Sequence, residues 1–173
     1  MILTMAIVMR APTAAQTNDK ETTHERDRIK ATIASVFERN LSAGITTIAP
    51  GVQAYTRVPP SDSDLREIAA YGSKAIPILS EYLASTKPRV QELAVRSIAY
   101  IGGPEAVPPL ERAAISSKYQ AVRLQAVLSL APLPGDEVDS ALSRIAETGS
   151  DDRIRGKAAE ILSQRAARPP GDR

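Results

Sequence analysis

Acidic side chains and one histidine are the residues with metal-binding chemistry in this chain. Seven of the 20 acidic residues form three clusters: Asp62 with Asp64, Asp136 with Glu137 and Asp139, and Asp151 with Asp152. Each cluster lies where a helix is predicted to begin, and carboxylates there are stabilised by the helix dipole and the free backbone N–H groups. Because the chain has one histidine, His24, and no cysteine, a metal site would need carboxylates alone. We therefore expect no metal and no cofactor.

Two serines that recur at equivalent positions, Ser97 and Ser129, are the residues to consider for nucleophilic catalysis. A serine nucleophile needs a base within hydrogen-bond reach. His24 lies in a different predicted helix, and the recurrence of the serines favours a packing role. We therefore expect a protein that is not an enzyme, and an enzyme with an unrecognised site is the least favoured alternative.

A repeated pattern of apolar residues predicts the helices on which these acidic residues and serines lie. The block 75–79 recurs at 106–110, 31 residues later, and at 138–142 after a further 32. A second block, which begins at Val90, recurs at Val122 and Ile154 with shifts of 32. Two blocks that keep step over three copies are typical of an α-solenoid, in which helix pairs bury their apolar faces by stacking.

The same pattern predicts the helices and their caps. We predict helices at about 62–71, 74–85, 88–101, 104–116, 119–131, 136–147 and 151–165. An earlier helix between Thr22 and Gly44 follows from apolar residues on one face of a 3.6-residue period: Ile29, Ile33, Val36, Phe37 and Leu41. Its predicted start is a capping box of Thr22 and Glu25, and Ser61 and Ser150 are predicted caps of later helices.

The repeated segments resemble a known family. Glu105–Leu110, followed after a short joint by Val122–Leu130, looks like a HEAT repeat, particularly the short form of HEAT-like proteins related to phycobilisome lyases. The resemblance covers residues 62–166. It implies an all-α fold, a right-handed α-α superhelix (HEAT-like solenoid) of about three helix pairs plus an N-terminal capping helix.

The family pattern also includes a ladder between repeats, made by an Asp in the joint and an Arg in the second helix. Asp151 or Asp152 with Arg155 matches it fully. Arg123 matches only the Arg, and the first copy has Gln91 instead. The resemblance therefore implies stacked repeats with a ladder that weakens toward the first copy.

Four segments organise the chain: 1–21, a signal peptide or disordered leader; 22–60, the capping helix and an irregular loop; 61–166, the HEAT-like repeat domain; and 167–173, a disordered tail. The apolar run at 1–9 is too short to span a bilayer, which takes about 20 residues. It fits a secretory signal, although no basic residue precedes it, so a secreted or periplasmic location is favoured over a cytoplasmic one. In 45–60, β-type residues around Pro50-Gly51 allow a hairpin, but an irregular connection is preferred because an isolated hairpin is marginally stable.

Charge and the resemblance together predict a protein partner. From Ser61 onward there are 15 basic and 15 acidic residues, so that a basic surface for nucleic acid is not expected. The resemblance implies a groove lined by the second helix of each repeat. The predicted binding residues are Arg89, Glu92, Arg96, Tyr100, Leu124 and Leu128. We therefore predict a non-enzymatic protein–protein interaction module or scaffold of unspecified oligomeric state; the alternative is an exported or envelope-associated solenoid that binds a ligand or cell-wall component.

Overall fold

The computed structural model describes the backbone of residues 14–42, 45–49, 52–55 and 59–167, and the side chains of residues 22–42 and 59–167. Within these ranges the chain forms eight α-helices and one hairpin of two strands. The helices are α1 (Ala14–Ser42), α2 (Asp62–Ala69), α3 (Ile76–Tyr82), α4 (Pro88–Ile101), α5 (Val107–Ser116), α6 (Gln120–Leu130), α7 (Asp136–Thr148) and α8 (Asp152–Ala166). Short 3-10 turns at Gly72–Ala75 and Pro104–Ala106 lead into α3 and α5.

The helices are arranged as stacked pairs. α3 packs on α4, α5 on α6 and α7 on α8, while α4, α6 and α8 also pack side by side as a row of second helices. The all-α solenoid is thus confirmed. The predicted capping helix, α1, packs against α2, so these two helices form a further pair at the N-terminal side of the three repeats.

Equivalent positions of the repeats form one continuous core. Leu79, Leu110 and Leu142 have no exposed surface. In the second helices, Ala94, Ala126 and Ala158 are also fully buried, and their small side chains allow close approach of neighbouring helices. The burial of both sets confirms the register read from the sequence.

Ion pairs and one aromatic contact dock α1 on the first repeat. Arg26 contacts Glu81 at 2.7 Å and Lys74 contacts Glu25 at 2.7 Å. Farther along α1, the ring of Phe37 meets that of Tyr82 edge-on, with 5.0 Å between their centroids. Ile29, Ile33, Val36 and Phe37 are buried, as their spacing predicts.

For the described residues between 45 and 55, the prediction of an irregular connection is wrong. Ile45–Ala49 (β1) pairs antiparallel with Val52–Tyr55 (β2), with Ile45 opposite Tyr55 and an irregularity between Thr47 and Ala49. The β-branched residues of this segment favour extended backbone, and pairing gives that backbone its hydrogen bonds. The hairpin lies between α1 and α2 in the chain.

The predicted caps of α1 and α8 are wrong. α1 begins at Ala14, which places Thr22 and Glu25 inside the helix and not at its cap, and which makes part of the predicted 1–21 leader helical. Ser61 caps α2 as predicted, accepting a hydrogen bond from the Asp64 N–H at 3.2 Å. Asp151, not Ser150, caps α8, through its Oδ1 atom 3.0 Å from the Ile154 nitrogen. Residues 1–13, Gly44, the Pro50-Gly51 turn and the tail from Arg168 onward lie outside the described residues.

Candidate functional site

Five of the residues that were predicted to bind a partner lie on α4 and α6, which pack side by side. We call this set the α4–α6 face, and it consists of Arg89, Arg96, Tyr100, Leu124 and Leu128. Tyr100 is 41% exposed and Leu128 is 44% exposed, and among the described side chains these are the two exposed large apolar ones. Leu124 is half-buried and packs against the core. The set therefore contains exposed and half-buried apolar side chains together with arginines.

Glu92 does not belong to this face, contrary to the prediction. It is only 7% exposed, and its carboxylate lies 3.7 Å from Arg89 in an i, i+3 ion pair. The physical reason is the central position of α4, which packs against α2, α3 and α6 and also contacts α1 and α5. The helical period alone places Glu92 among the solvent-facing positions of α4. It does not show how many other helices pack around α4.

Two arginines at the α4–α6 face, Arg96 and Arg66, donate hydrogen bonds to uncharged side chains. Arg96 donates to the side-chain oxygen of Gln125 at 3.3 Å, which links α4 to α6. Arg66 of α2 donates to the Tyr100 hydroxyl, also at 3.3 Å. Within the described residues Arg96 makes no ion pair, so its positive charge is not neutralised by a carboxylate at the face.

The joints between helices carry a ladder of repeated hydrogen bonds. Gln91, Arg123 and Arg155 occupy one register, and each donates to a carbonyl six residues earlier: Ser85 at 2.6 Å, Ser117 at 2.7 Å and Gly149 at 2.8 Å. Across the repeats, Ser117 donates its hydroxyl to Gln91 at 2.7 Å. The ladder therefore continues to the first copy, with an amide in place of the guanidinium.

An ion pair of this ladder joins Arg123 to Asp151 of the next joint. Their Nη2 and Oδ2 atoms are 2.6 Å apart. The hydrogen bond from Arg123, aided by the backbone N–H of Ile154, holds the pKa of Asp151 below its ordinary value. Of the two partners predicted for Arg155, Asp152 is the one that it contacts, while Asp151 pairs with Arg123 of the preceding repeat.

Arg165 makes a connection that sequence reasoning missed. Its guanidinium is almost fully buried and donates to Asp139 at 2.5 Å. It also donates to three carbonyls of the segment between α6 and α7: Ala131 at 3.2 Å, Leu133 at 2.6 Å and Gly135 at 3.3 Å. An arginine in the last turn of the last helix is ordinarily read as a solvated residue, so no local pattern signals this role.

A cluster of metal-binding side chains is not found in the described part of the chain. No group of three or more His, Cys, Asp or Glu side chains there could hold a metal ion. Ser97 and Ser129 are buried, as expected for packing residues. None of the described helices is long and apolar enough to cross a membrane.

Helix pairs that stack on their neighbours along the chain are typical of the class of α-solenoid proteins. A family model of HEAT repeats matches residues 64–163, which is more than half of the chain. The chain belongs to the HEAT repeat family. No curated protein matches it.

Proposed function

We propose that this protein is a non-enzymatic interaction module whose α4–α6 face binds a segment of a protein partner. HEAT repeats commonly mediate protein–protein interaction, and solenoids of this kind use extended surfaces across their repeats. The observation that carries the proposal is the position of Tyr100 and Leu128. Both exposed large apolar side chains of the described residues lie on adjacent second helices.

The chemistry of the face indicates what the partner segment should contain. Aromatic, aliphatic and arginine side chains are the types that contribute most to protein interfaces when they are buried on binding. Tyr100 and Leu128 would be covered by an apolar side chain of the partner. Arg96, whose described hydrogen bond goes to neutral Gln125, would pair with an acidic residue beside it.

Partner capture by a variant of the face tests this proposal. The chain would be used as bait in an extract of its native organism, and a stoichiometric partner would be identified by mass spectrometry and purified. Replacing both Tyr100→Ala and Leu128→Ser should weaken the affinity for the purified partner by at least tenfold, because two central apolar contacts typically contribute more than about 1.4 kcal/mol together. Helical content and melting temperature should change little, since both side chains are exposed.

A matched double variant on α1 provides the control. Arg28→Ala with Glu38→Ala removes two exposed side chains without changing net charge, and it should leave the affinity unaltered. Unchanged binding by the folded Tyr100→Ala, Leu128→Ser variant would contradict the proposed surface. An equal loss of affinity in the Tyr100→Ala, Leu128→Ser variant and in the α1 control would also contradict it, because the effect would then not be specific to the α4–α6 face.

A further inference from the structure

A cleft lies between the first two of the three repeats, at their joints. Its volume is about 430 Å³, and residues from the ends of α3 and α5 and from the segments that follow them line it. Five hydroxyl side chains, the Gln91 amide and two cations, Arg112 and Lys118, contribute its polar groups, while Leu83 and Ala113 contribute apolar surface. None of the described residues that line the cleft is acidic. The cleft is therefore positively charged and rich in hydroxyl groups.

The repeat itself explains why Arg112 carries an unneutralised charge. Its equivalent 32 residues later is Arg144, which donates to both carboxylate oxygens of Glu111, at 2.6 and 2.8 Å. One repeat earlier, the position of Glu111 is occupied by Ser80, 31 residues before it. The Ser80 hydroxyl donates to the Ile76 carbonyl at 2.8 Å and offers no negative charge. Among the described residues, the Arg144–Glu111 ion pair between the second and third repeats therefore has no counterpart between the first and second repeats, where Arg112 faces Ser80 in place of a glutamate.

The second cation of the cleft is likewise not paired with a carboxylate in the described part of the chain. Lys118 is exposed, and its ammonium lies 5.0 Å from the centre of the Tyr119 ring, a cation–π contact that leaves its charge in place. Glu105 borders a neighbouring depression together with Arg112 but makes no ion pair with it among the described residues. Two positive charges therefore face the same space without an acidic neighbour in ion-pair contact.

We propose that this cleft binds a phosphoryl group, carried either by a small molecule or by a phosphorylated side chain of a protein. A phosphate monoester has a charge of about −1.5 to −2 at neutral pH and three acceptor oxygens, which matches two cations and nearby hydroxyl donors. The planar fork of Arg112 suits two of those oxygens, and Lys118 supplies a point charge. Exposed Ser116, in the same lining, can donate to the third. This site is separate from the α4–α6 face and does not depend on the proposed partner binding.

Titration of the full chain with inorganic phosphate, followed by amide NMR signals, tests the site. At constant ionic strength set with chloride, the signals of Ser116 and Lys118 should shift along a saturable curve. Arg112→Gln with Lys118→Gln should weaken the apparent affinity at least tenfold. Ser80→Glu, which restores the carboxylate found at Glu111, should pair with Arg112 and have the same effect while the fold is retained. Arg153→Gln, which removes an exposed arginine outside the cleft, is the matched control and should leave the curve unchanged.

These measurements distinguish a specific phosphate site from non-specific attraction of anions to a basic surface. They also distinguish a phosphorylated side chain from a small phosphate compound as the ligand. Linear, non-saturating shifts, or equal weakening by Arg153→Gln and by the cleft variants, would overturn the site. A short peptide with one phosphoserine that binds at least tenfold more tightly than inorganic phosphate would identify the ligand as a phosphorylated side chain. Equal affinities would identify a small phosphate compound, and an unphosphorylated peptide should not bind.

Discussion

The substitution Arg165→Met is the sharpest test of how the last repeat is held together. Arg165 is 2% exposed and connects α8 to Asp139 of α7 and to three carbonyls before α7. Methionine fills most of the volume, so the cost comes from lost hydrogen bonds. The Leu133 carbonyl would lose its buried partner, which costs about 1–3 kcal/mol. Asp139, whose side chain is 30% exposed, would recover some hydration, so that losing the ion pair adds about 1 kcal/mol.

The expected loss is therefore about 2–4 kcal/mol, a large share of the roughly 5–15 kcal/mol stability of a typical domain. Urea denaturation followed by circular dichroism at the helical band would measure it. Arg165→Lys, which keeps the charge but not the planar fork, should give an intermediate loss. Arg153→Met on the exposed side of α8 is the matched control and should stay within about 0.5 kcal/mol of the wild type. A loss for Arg165→Met as small as that of the control would refute the reasoning.

Two further predictions concern the core and the joint ladder. Leu110→Ala should cost about 2–5 kcal/mol in denaturant unfolding because Leu110 is fully buried in the core, and a loss below about 0.5 kcal/mol would contradict the repeat register. Asp151→Asn keeps a cap-forming side chain but removes the charge that meets Arg123, so it should lower stability at neutral pH. Because the pKa of Asp151 is lowered in the folded protein, its stabilisation is complete above the ordinary Asp value of about 3.9 and is lost as pH falls through the folded pKa. The difference between wild type and variant, measured by denaturation across this range, should shrink toward zero in acid; a constant difference would show that the charge of Asp151 does not contribute.

The periodicity of apolar residues was sufficient to predict the helices of the repeats, because the apolar residues occupy equivalent positions in each repeat. Leu79, Leu110 and Leu142 are recognisable as core residues from the sequence, since their equivalent burial follows from the repeat. The repeats also contain the signal for the proposed phosphate site. Arg112 matches Arg144, while Ser80 stands where Glu111 provides the carboxylate.

The helical periodicity gave wrong predictions where the burial or hydrogen bonding of a residue depends on its neighbours in the tertiary structure. Glu92 occupies an outward position on an isolated helix, but α4 is surrounded and the side chain is buried. At the start of α8, Ser150 and Asp151 are both acceptable caps by type, and Asp151 is further stabilised by Arg123 from the preceding repeat.

The sequence by itself determined the repeat, the helix pairs and the apolar core, because these follow from the spacing of residues within each helix. Tertiary structure decided the connections between repeats. Arg123 reaches Asp151 across 28 residues, and Arg165 reaches Leu133 across 32. Such pairs depend on the relative height and rotation of stacked helices, which the helical period does not contain.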